Sequence, residues 1–259
     1  TCMLGSQSSV VVVLVGERGR EVREFAESTL GKEKHRLVSV VATGDESPLM
    51  RRLAPRTGMR LAEYFRDRGE NVLIIMDSVT RYAHACRDVA LSAGGAPVAR
   101  GFPPSVFSDL PQLLERAGPG AEGSGFITGL FSVLVDGDDH NDPIADAIRG
   151  TLDGHIVLSR NIAEQGRYPA VNLLSSLSRL AQHVWTPEQG KLLRMLVALI
   201  ARYEESLDLR SMGGYQAGGD PELDRALAIV PKLYLSLAQA PGSPMSLDPF
   251  ADVAAQLAD

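Results

Sequence analysis

Apolar runs alternate with amphipathic stretches along the first 160 residues of the chain. Five apolar runs predict strands, at residues 10–15, 37–42, 72–76, 126–135 and 155–158. Uninterrupted runs of this kind are typical of strands that are buried on both faces of a parallel sheet. An amphipathic helix is predicted around residues 57–68, closed by Gly69. Strands separated by helices predict an α/β fold with a mostly parallel sheet covered on both faces.

Two of the predicted strands end on charged residues. The first strand breaks at Gly16 and is followed by Glu17 and Arg18 in a turn, before a helical pattern that starts at Glu21. The strand at residues 72–76 ends on Asp77. In open parallel sheets, ligands bind at the carboxyl ends of the strands. The two acids are therefore expected at the mouth of a site, and the pattern indicates nucleotide chemistry.

The pattern changes after about residue 183, where helical periodicity takes over. Thr186 is predicted as an N-cap, with Pro187 at the first helical position and Gln189 placed for a capping box. Residues 220–239 show the same helical periodicity, and residues 248–257 predict a short last helix. The sequence predicts an α/β core in residues 1–183, incomplete at its N-terminus, and a small helical domain in residues 184–259.

Composition and charge narrow the class of protein. The 259 residues are 44% hydrophobic and 22% charged, as in ordinary globular proteins, and the net charge of −6 gives no support for a nucleic-acid groove. Two cysteines, Cys2 and Cys86, are too few for a disulfide framework or a zinc cluster. No apolar run approaches the length of a membrane span, and the first residues lack a signal-peptide pattern. We therefore expect a cytoplasmic protein.

Several long motifs resemble the export ATPase of bacterial flagella. They are GERGREV at 16–22, LIIMDSVTRYA at 73–83, VLVDGDDHNDPIADAIRGTLDGHIVLSR at 133–160, RYPAVNLLSSLSR at 167–179 and GGYQAGGDPELDRAL at 213–227. The same motifs occur in the ATPases of type III secretion injectisomes, and both groups are similar to the catalytic subunit of rotary ATP synthases. The residues at 81–107 favour the flagellar group. The resemblance implies a RecA-like P-loop NTPase core followed by the helical domain.

The sequence departs from this family at its beginning. No G-x-x-x-x-G-K-[ST] phosphate loop occurs in it. TCMLG at residues 1–5 resembles the segment directly after the loop lysine, with Thr1 in the place of the Mg²⁺-binding hydroxyl. Residues 6–9 are too few for the helix that the family has there. We therefore expect that the phosphate loop, this helix and the family's N-terminal β-barrel are absent from this chain. These 259 residues by themselves are then expected to bind ATP weakly and to be inactive.

The resemblance implies roles for five further residues. Glu17 would orient and polarise the attacking water, and Arg18 would hold that carboxylate and sense the γ-phosphate. Asp77, like the Walker-B aspartate, would hold a Mg²⁺-bound water. Arg179 falls where the family places the arginine finger that reaches the neighbouring subunit, and Tyr168 resembles the aromatic residue that stacks on adenine. The alternatives are helix N-caps for the two acids, a solvated helix end for Arg179 and a packing role for Tyr168.

Other polar residues carry weaker signals. Asp138, Asp139 and Asp142 form an acidic loop that does not fit the EF-hand pattern, and by resemblance it borders the nucleotide site. Arg81 and Arg100 are assigned either to subunit contacts, to the pore side of a ring, or to the plain surface. Three histidines show no ligand spacing and are predicted to be structural: His84, His140 and His155.

The resemblance implies a Mg²⁺-dependent ATPase in a homo-oligomeric ring, expected to be a hexamer, that assists export of flagellar proteins through a type III secretion apparatus. Expected partners are stalk and regulator proteins, export chaperone–substrate complexes and the inner-membrane export gate, with peripheral membrane association and no nucleic acid. Three alternatives stay open. They are an injectisome ATPase, a non-hydrolysing ring or scaffold subunit if the natural gene lacks the phosphate-loop lysine, and an RNA-translocating ring that would need an RNA-binding domain.

Overall fold

The computed structural model describes residues 9–28, 37–135, 137, 142–240, 242–244 and 246–258. The chain divides into two compact units between Leu152 and Asp153. The predicted domain boundary at residues 183/184 stays a prediction. Among the described residues, no helix has both the length and the hydrophobicity needed to cross a bilayer.

The first unit is built on a mostly parallel sheet, which confirms the predicted fold class. Its strands are β1 (Ser9–Val15), β2 (Leu37–Ala42), β3 (Val72–Asp77), β4 (Gly118–Pro119) and β5 (Phe126–Phe131). Their order is β2-β1-β3-β5-β4, and only the short edge strand β4 is antiparallel. The helices are α1 (Gly19–Ser28), α2 (Pro48–Asp67), α3 (Val79–Ser92), α4 (Pro104–Leu114) and α5 (Pro143–Thr151).

The longest described helix, α2, packs directly on β1, an interior strand of the sheet. All seven residues of β1 are buried, as its unbroken apolar run predicts. Gly58 of α2 permits the close approach, because a Cβ there would lie 2.2 Å from a methyl carbon of Val13. The predicted start of this helix near residue 57 is wrong. Ser47 caps the helix by accepting a hydrogen bond from the Met50 amide, and Pro48 occupies the first turn.

The second unit begins with a two-stranded antiparallel sheet and continues as helices. Its elements are β6 (Gly154–Leu158), α6 (Arg160–Glu164), β7 (Val171–Ser178), α7 (Ala181–Val184), α8 (Pro187–Glu205), α9 (Leu207–Ser211), α10 (Pro221–Ser236) and α11 (Pro249–Ala258). The predicted capping box of α8 is confirmed, since the Thr186 and Gln189 side chains each bond the other residue's backbone amide. Helices α8 and α10 supply the core of this unit.

An ion pair between Glu63 of α2 and Arg116, which follows α4, makes the stability of the protein depend on pH. The Arg116 guanidinium donates to both oxygens of Glu63, at 2.7 and 2.8 Å, and the Glu63 side chain is only 12% exposed. These hydrogen bonds lower the pKa of Glu63 to about 2 from its ordinary 4.5, although burial acts in the opposite direction. The stabilisation is therefore complete above about pH 4.5 and is lost as the pH falls toward 2.

We predict that Glu63→Gln destabilises the protein near pH 7 much more than near pH 3. Losing charge-assisted hydrogen bonds costs about 2 kcal/mol, which lowers the melting temperature by roughly 4–8 °C in a domain of this size. By pH 3 the parent has lost much of the same contribution, so the two melting temperatures should approach each other. Circular dichroism melts of both proteins from pH 3 to 7 measure this. A difference independent of pH would contradict the assignment.

Candidate functional site

Two acids lie side by side at the carboxyl edge of the central strands. Strands β1 and β3 are parallel neighbours in a register that pairs Leu14 with Asp77. The chain leaves β1 at Gly16, whose φ of +72° lies in the left-handed region that favours glycine. Glu17 follows at once, and its carbonyl accepts a hydrogen bond of 3.0 Å from the Gly44 amide. The adjacent strand ends thus bring Glu17 and Asp77 to one edge, as the sequence predicts.

Arg81 holds the Glu17 carboxylate. Its Nε lies 3.2 Å from Glu17 Oε1, and its Nη1 donates to the Gly16 carbonyl. A Cβ at Gly16 would lie 2.8 Å from the Arg81 side chain, so glycine serves both the turn and this approach. The expectation that Arg18 holds Glu17 is not met. Arg18 lies on the exposed side of the turn, with its side chain 75% accessible, and its ion-pair partner is Glu21, at 4.0 Å.

The contact made by Arg81 is a result of topology. Helix α3 begins directly after β3, the neighbour of β1, and Arg81 lies in its first turn. Its side chain therefore starts at the same edge as Glu17. Reasoning from the sequence assigned Arg81 to the surface or to a subunit contact, because the contact depends on strand order. A basic residue four positions after the strand-ending Asp77 is the signal that could have identified it.

The surroundings of Glu17 raise its pKa. Its side chain is only 17% exposed, and burial disfavours the charged carboxylate. Arg81 opposes this effect, whereas the charge of Asp77 and the contact with Glu21 add to it. A carboxylate with a raised pKa is a better proton acceptor near neutral pH. The site therefore holds an acid suited to polarising a water molecule.

A serine directly after the neighbouring strand β5 orients Asp77. Strands β3 and β5 pair Met76 with Phe131, so the following residue, Ser132, lies beside Asp77. The Ser132 hydroxyl donates to Asp77 Oδ1, and its amide donates to the Met76 carbonyl at 3.0 Å. The N-cap of α3 is Ser78, whose hydroxyl accepts from the Arg81 amide. Asp77 is therefore not the helix cap that the sequence left open as its alternative role.

The donor set suits a hard cation. Mg²⁺ binds through one or two carboxylates and keeps several waters, and Asp77 supplies one carboxylate at the strand end. Thr1, the predicted hydroxyl ligand, lies outside the described residues, as do Asp138 and Asp139. Asp142 is described, and it caps α5 by accepting from the amides of residues 144 and 145 at 2.9 and 2.8 Å. It also pairs with Arg100 at 3.7 Å, which indicates a structural role.

The two predicted site residues of the second unit flank β7. Tyr168 precedes the strand with its side chain 58% exposed, beside a cavity of about 200 Å³. The cavity walls include Arg167, Tyr234 and Gln239. Arg179 comes directly after the strand, and its amide donates to the Asp153 carbonyl at 2.8 Å.

Two of the three histidines predicted to be structural, His84 and His155, lie within the described residues. The His84 ring stacks on Phe102 with 5.7 Å between centroids, and His155 Nε2 lies 3.0 Å from the Ser175 carbonyl oxygen. These contacts agree with the structural role predicted for both. His140 lies outside the described residues.

A parallel α/β unit with Glu17, Arg81 and Asp77 at its strand ends has the architecture of a nucleotide-binding domain. Residues 2–178 match the family model described as the ATP synthase alpha/beta family, nucleotide-binding domain. The chain belongs to this ATP synthase alpha/beta family. Residues 185–258 match a second model, the T3SS EscN ATPase C-terminal domain. The two matches confirm the resemblance to the export ATPases of flagellar and type III secretion systems.

Individual relatives point the same way. A flagellum-specific ATP synthase of Agrobacterium fabrum is 60% identical over 248 residues, which are 96% of this chain and 52% of the relative. The SPI-2 type 3 secretion system ATPase of Salmonella typhimurium is 47% identical over 240 residues, 92% of this chain and 55% of the relative. The assembled ATPase EscN of enteropathogenic E. coli superposes with a TM-score of 0.91 at 43% identity, over 97% of this chain and 61% of EscN. The chain spans about half the length of the curated relatives it matches.

Proposed function

We propose that the full-length gene product is a Mg²⁺-dependent ATPase that assists export of flagellar proteins through a type III secretion apparatus. The observation that carries the proposal is the Glu17 carboxylate, partly buried at the end of β1, paired with Arg81 and adjacent to Asp77. The higher identity to the flagellum-specific relative, 60% against 47% for the SPI-2 ATPase, favours flagellar over injectisome export.

In this proposal the chain's own residues position the reactants. Transfer of a phosphoryl group to water needs orientation and charge stabilisation more than covalent help. Glu17 orients and polarises the attacking water, and Arg81 fixes the direction of its carboxylate. The Thr1 hydroxyl would hold Mg²⁺ directly, and Asp77, oriented by Ser132, would hold it through a bound water. When bound, Mg²⁺ neutralises charge on the β- and γ-phosphates.

The proposal gives roles to three further residues. Arg18, which is exposed in the turn after β1, would sense the γ-phosphate. Tyr168 supplies an aromatic face beside the 200 Å³ cavity for the adenine base. Arg179, on the exposed end of β7, acts as an arginine finger on the site of a neighbouring subunit.

We further propose a homo-oligomeric ring, a hexamer, that binds a central stalk protein. Support comes from the relatives, because EscN is described as an assembled ATPase and in complex with its central stalk EscO. Regulator proteins and export chaperone–substrate complexes complete the proposed partners. The ring would work in the cytoplasm, peripherally associated with the inner-membrane export gate.

The test combines an enzyme assay with genetics. The purified full-length gene product should release phosphate from ATP only with Mg²⁺, and the gene should restore flagellin export to a strain from which it was deleted. Restored export by a protein that releases no phosphate would favour the scaffold function. Loss of effector secretion with normal motility would favour the injectisome function.

Arg81→Gln should move the acid limb of the pH–rate profile. Arg81 lowers the pKa of Glu17 against the effect of burial, so its removal raises that pKa further. Because the carboxylate is the active form, kcat/KM should begin to fall at a higher pH than in the parent. Arg87→Gln, which changes an arginine two turns along α3 that pairs with Asp88, is the matched control. An acid limb at the parent's pH would contradict the electrostatic role of Arg81.

A further inference from the structure

An arginine stacked on a tyrosine holds the loop that carries Tyr168. The Arg167 guanidinium carbon lies 3.6 Å from the centre of the Tyr234 ring, in α10. At this distance a planar guanidinium makes both a cation–π contact and a stacking contact. The Arg167 amide also donates to the Ile162 carbonyl at 3.3 Å. Arg167 therefore ties the loop to α6 through its backbone and to α10 through its side chain.

Two neighbours besides Arg167 hold the Tyr234 side chain. Its hydroxyl donates to Glu204 of α8 at 2.8 Å, and its ring packs edge-on against Tyr203, with 6.1 Å between centroids. Arg210 lies over the other tyrosine, 4.4 Å from the centre of the Tyr203 ring. Burial and the contact with Glu204 raise the pKa of Tyr234 to about 12, so the hydroxyl stays a donor at neutral pH. Arg167 thus stacks on a rigid surface.

Tyr168 depends on this anchoring for its own position. More than half of its side chain is exposed, so its packing contacts fix the ring only weakly. Its backbone is held by the Gln239 amide, which donates to the Tyr168 carbonyl at 2.9 Å. Together with the preceding Arg167 stack, this bond sets the side of the cavity on which the Tyr168 ring lies. A stacked base is sensitive to such placement, because the ring must lie parallel to it at van der Waals distance.

We propose that Arg167 is a positioning residue for the nucleotide base: by stacking on Tyr234, it keeps Tyr168 where a purine base can stack on it. This inference rests on the proposed function, and specifically on Tyr168 as the surface for the base. In this proposal Arg167 does not contact the phosphates. Lysine would not replace it, because an ammonium group lacks the plane that stacks on the ring.

The experiment uses the full-length gene product and distinguishes an effect on binding of the base from an effect on binding of the phosphates. Arg167→Met keeps an unbranched stem and removes the guanidinium. Its KM for ATP should rise about tenfold, equivalent to about 1.4 kcal/mol, while kcat stays within about twofold. Inorganic tripolyphosphate, which has no base, should inhibit the variant and the parent with the same inhibition constant. Arg167→Lys should recover only part of the affinity for ATP.

Arg68→Met is the matched control. Arg68 lies over the Tyr64 ring at 5.6 Å, and neither residue lines the cavity, so the same chemical change removes a cation–π contact that does not involve Tyr168. The control should keep the parent's KM. Tyr234→Phe retains the ring and loses the bond to Glu204, so its KM should rise by less than that of Arg167→Met. If Arg167→Met fails to fold, Arg167→Gln is measured with the same two ligands.

Three results would overturn the inference. The inhibition constant of tripolyphosphate could rise in step with the KM for ATP, which would place Arg167 on the phosphates. The KM could stay unchanged in a folded variant, or Arg167→Lys could recover full affinity, which would make charge sufficient. A parent protein that hydrolyses no ATP would instead refute the proposed function, so the two failures are distinguishable.

Discussion

Glu17→Gln in the full-length gene product is expected to lower kcat for ATP hydrolysis by about 10²–10⁴-fold and to leave ATP binding nearly unchanged. Glutamine keeps the size of the side chain, so the partly buried space at the end of β1 stays filled and Arg81 can still bond the Gly16 carbonyl. The charge that polarises the water is lost, and it matters in the transition state more than in the bound ground state. Phosphate release gives kcat, and calorimetry gives ATP binding.

Two further variants serve as a control and as a comparison for this result. Glu122→Gln, at an exposed loop position, should behave as the parent. Asp77→Asn should differ from Glu17→Gln by weakening Mg²⁺-dependent nucleotide binding as well, because Asp77 is assigned to the cation. Near-normal turnover by Glu17→Gln would transfer the water-activating role to another residue.

Features that depend on neighbouring residues in the chain were predictable. The strands could be identified because an unbroken apolar run is a local signal. The edge strand β2 has the predicted bounds, Leu37–Ala42, although only its last residue is buried. Glu17 and Asp77 could be placed at one edge because parallel strands share their carboxyl ends. The cap of α8 was also predictable, since the Thr186 box spans only four residues.

Features that depend on strand order and on proline context were not predictable from the sequence. Helix α4 (Pro104–Leu114) is not among the predicted elements, because it begins in a stretch rich in glycine and proline, although Pro104 is compatible with its first turn. Strand β7 was not predicted, since VNLLSSLS lacks a regular two-residue alternation, and its ladder with β6 is irregular between His155 and Val157. The contact of Arg81 with Glu17 requires knowing that β1 and β3 are neighbours.

Arg179→Ala is expected to lower kcat by about 10³-fold or more, with an effect that crosses a subunit boundary. Arg179 lies at the exposed end of β7, with its backbone fixed by the bond to the Asp153 carbonyl. In the proposed ring its planar guanidinium neutralises charge on the phosphate bound by the next subunit. Activity of the parent should therefore rise steeply with protein concentration as rings assemble.

Mixing Arg179→Ala with Glu17→Gln tests this geometry directly. Each variant alone lacks one half of every site, but an interface that takes Glu17 from one variant and Arg179 from the other is intact. In an equal, random mixture about one interface in four has this composition, so up to about a quarter of the parent activity should return. Recovery should disappear when dilution disperses the ring. If labelled subunits demonstrably exchange and no activity returns, or if Arg179→Ala alone hydrolyses ATP normally, Arg179 is a structural residue at the end of β7 and the trans mechanism is wrong.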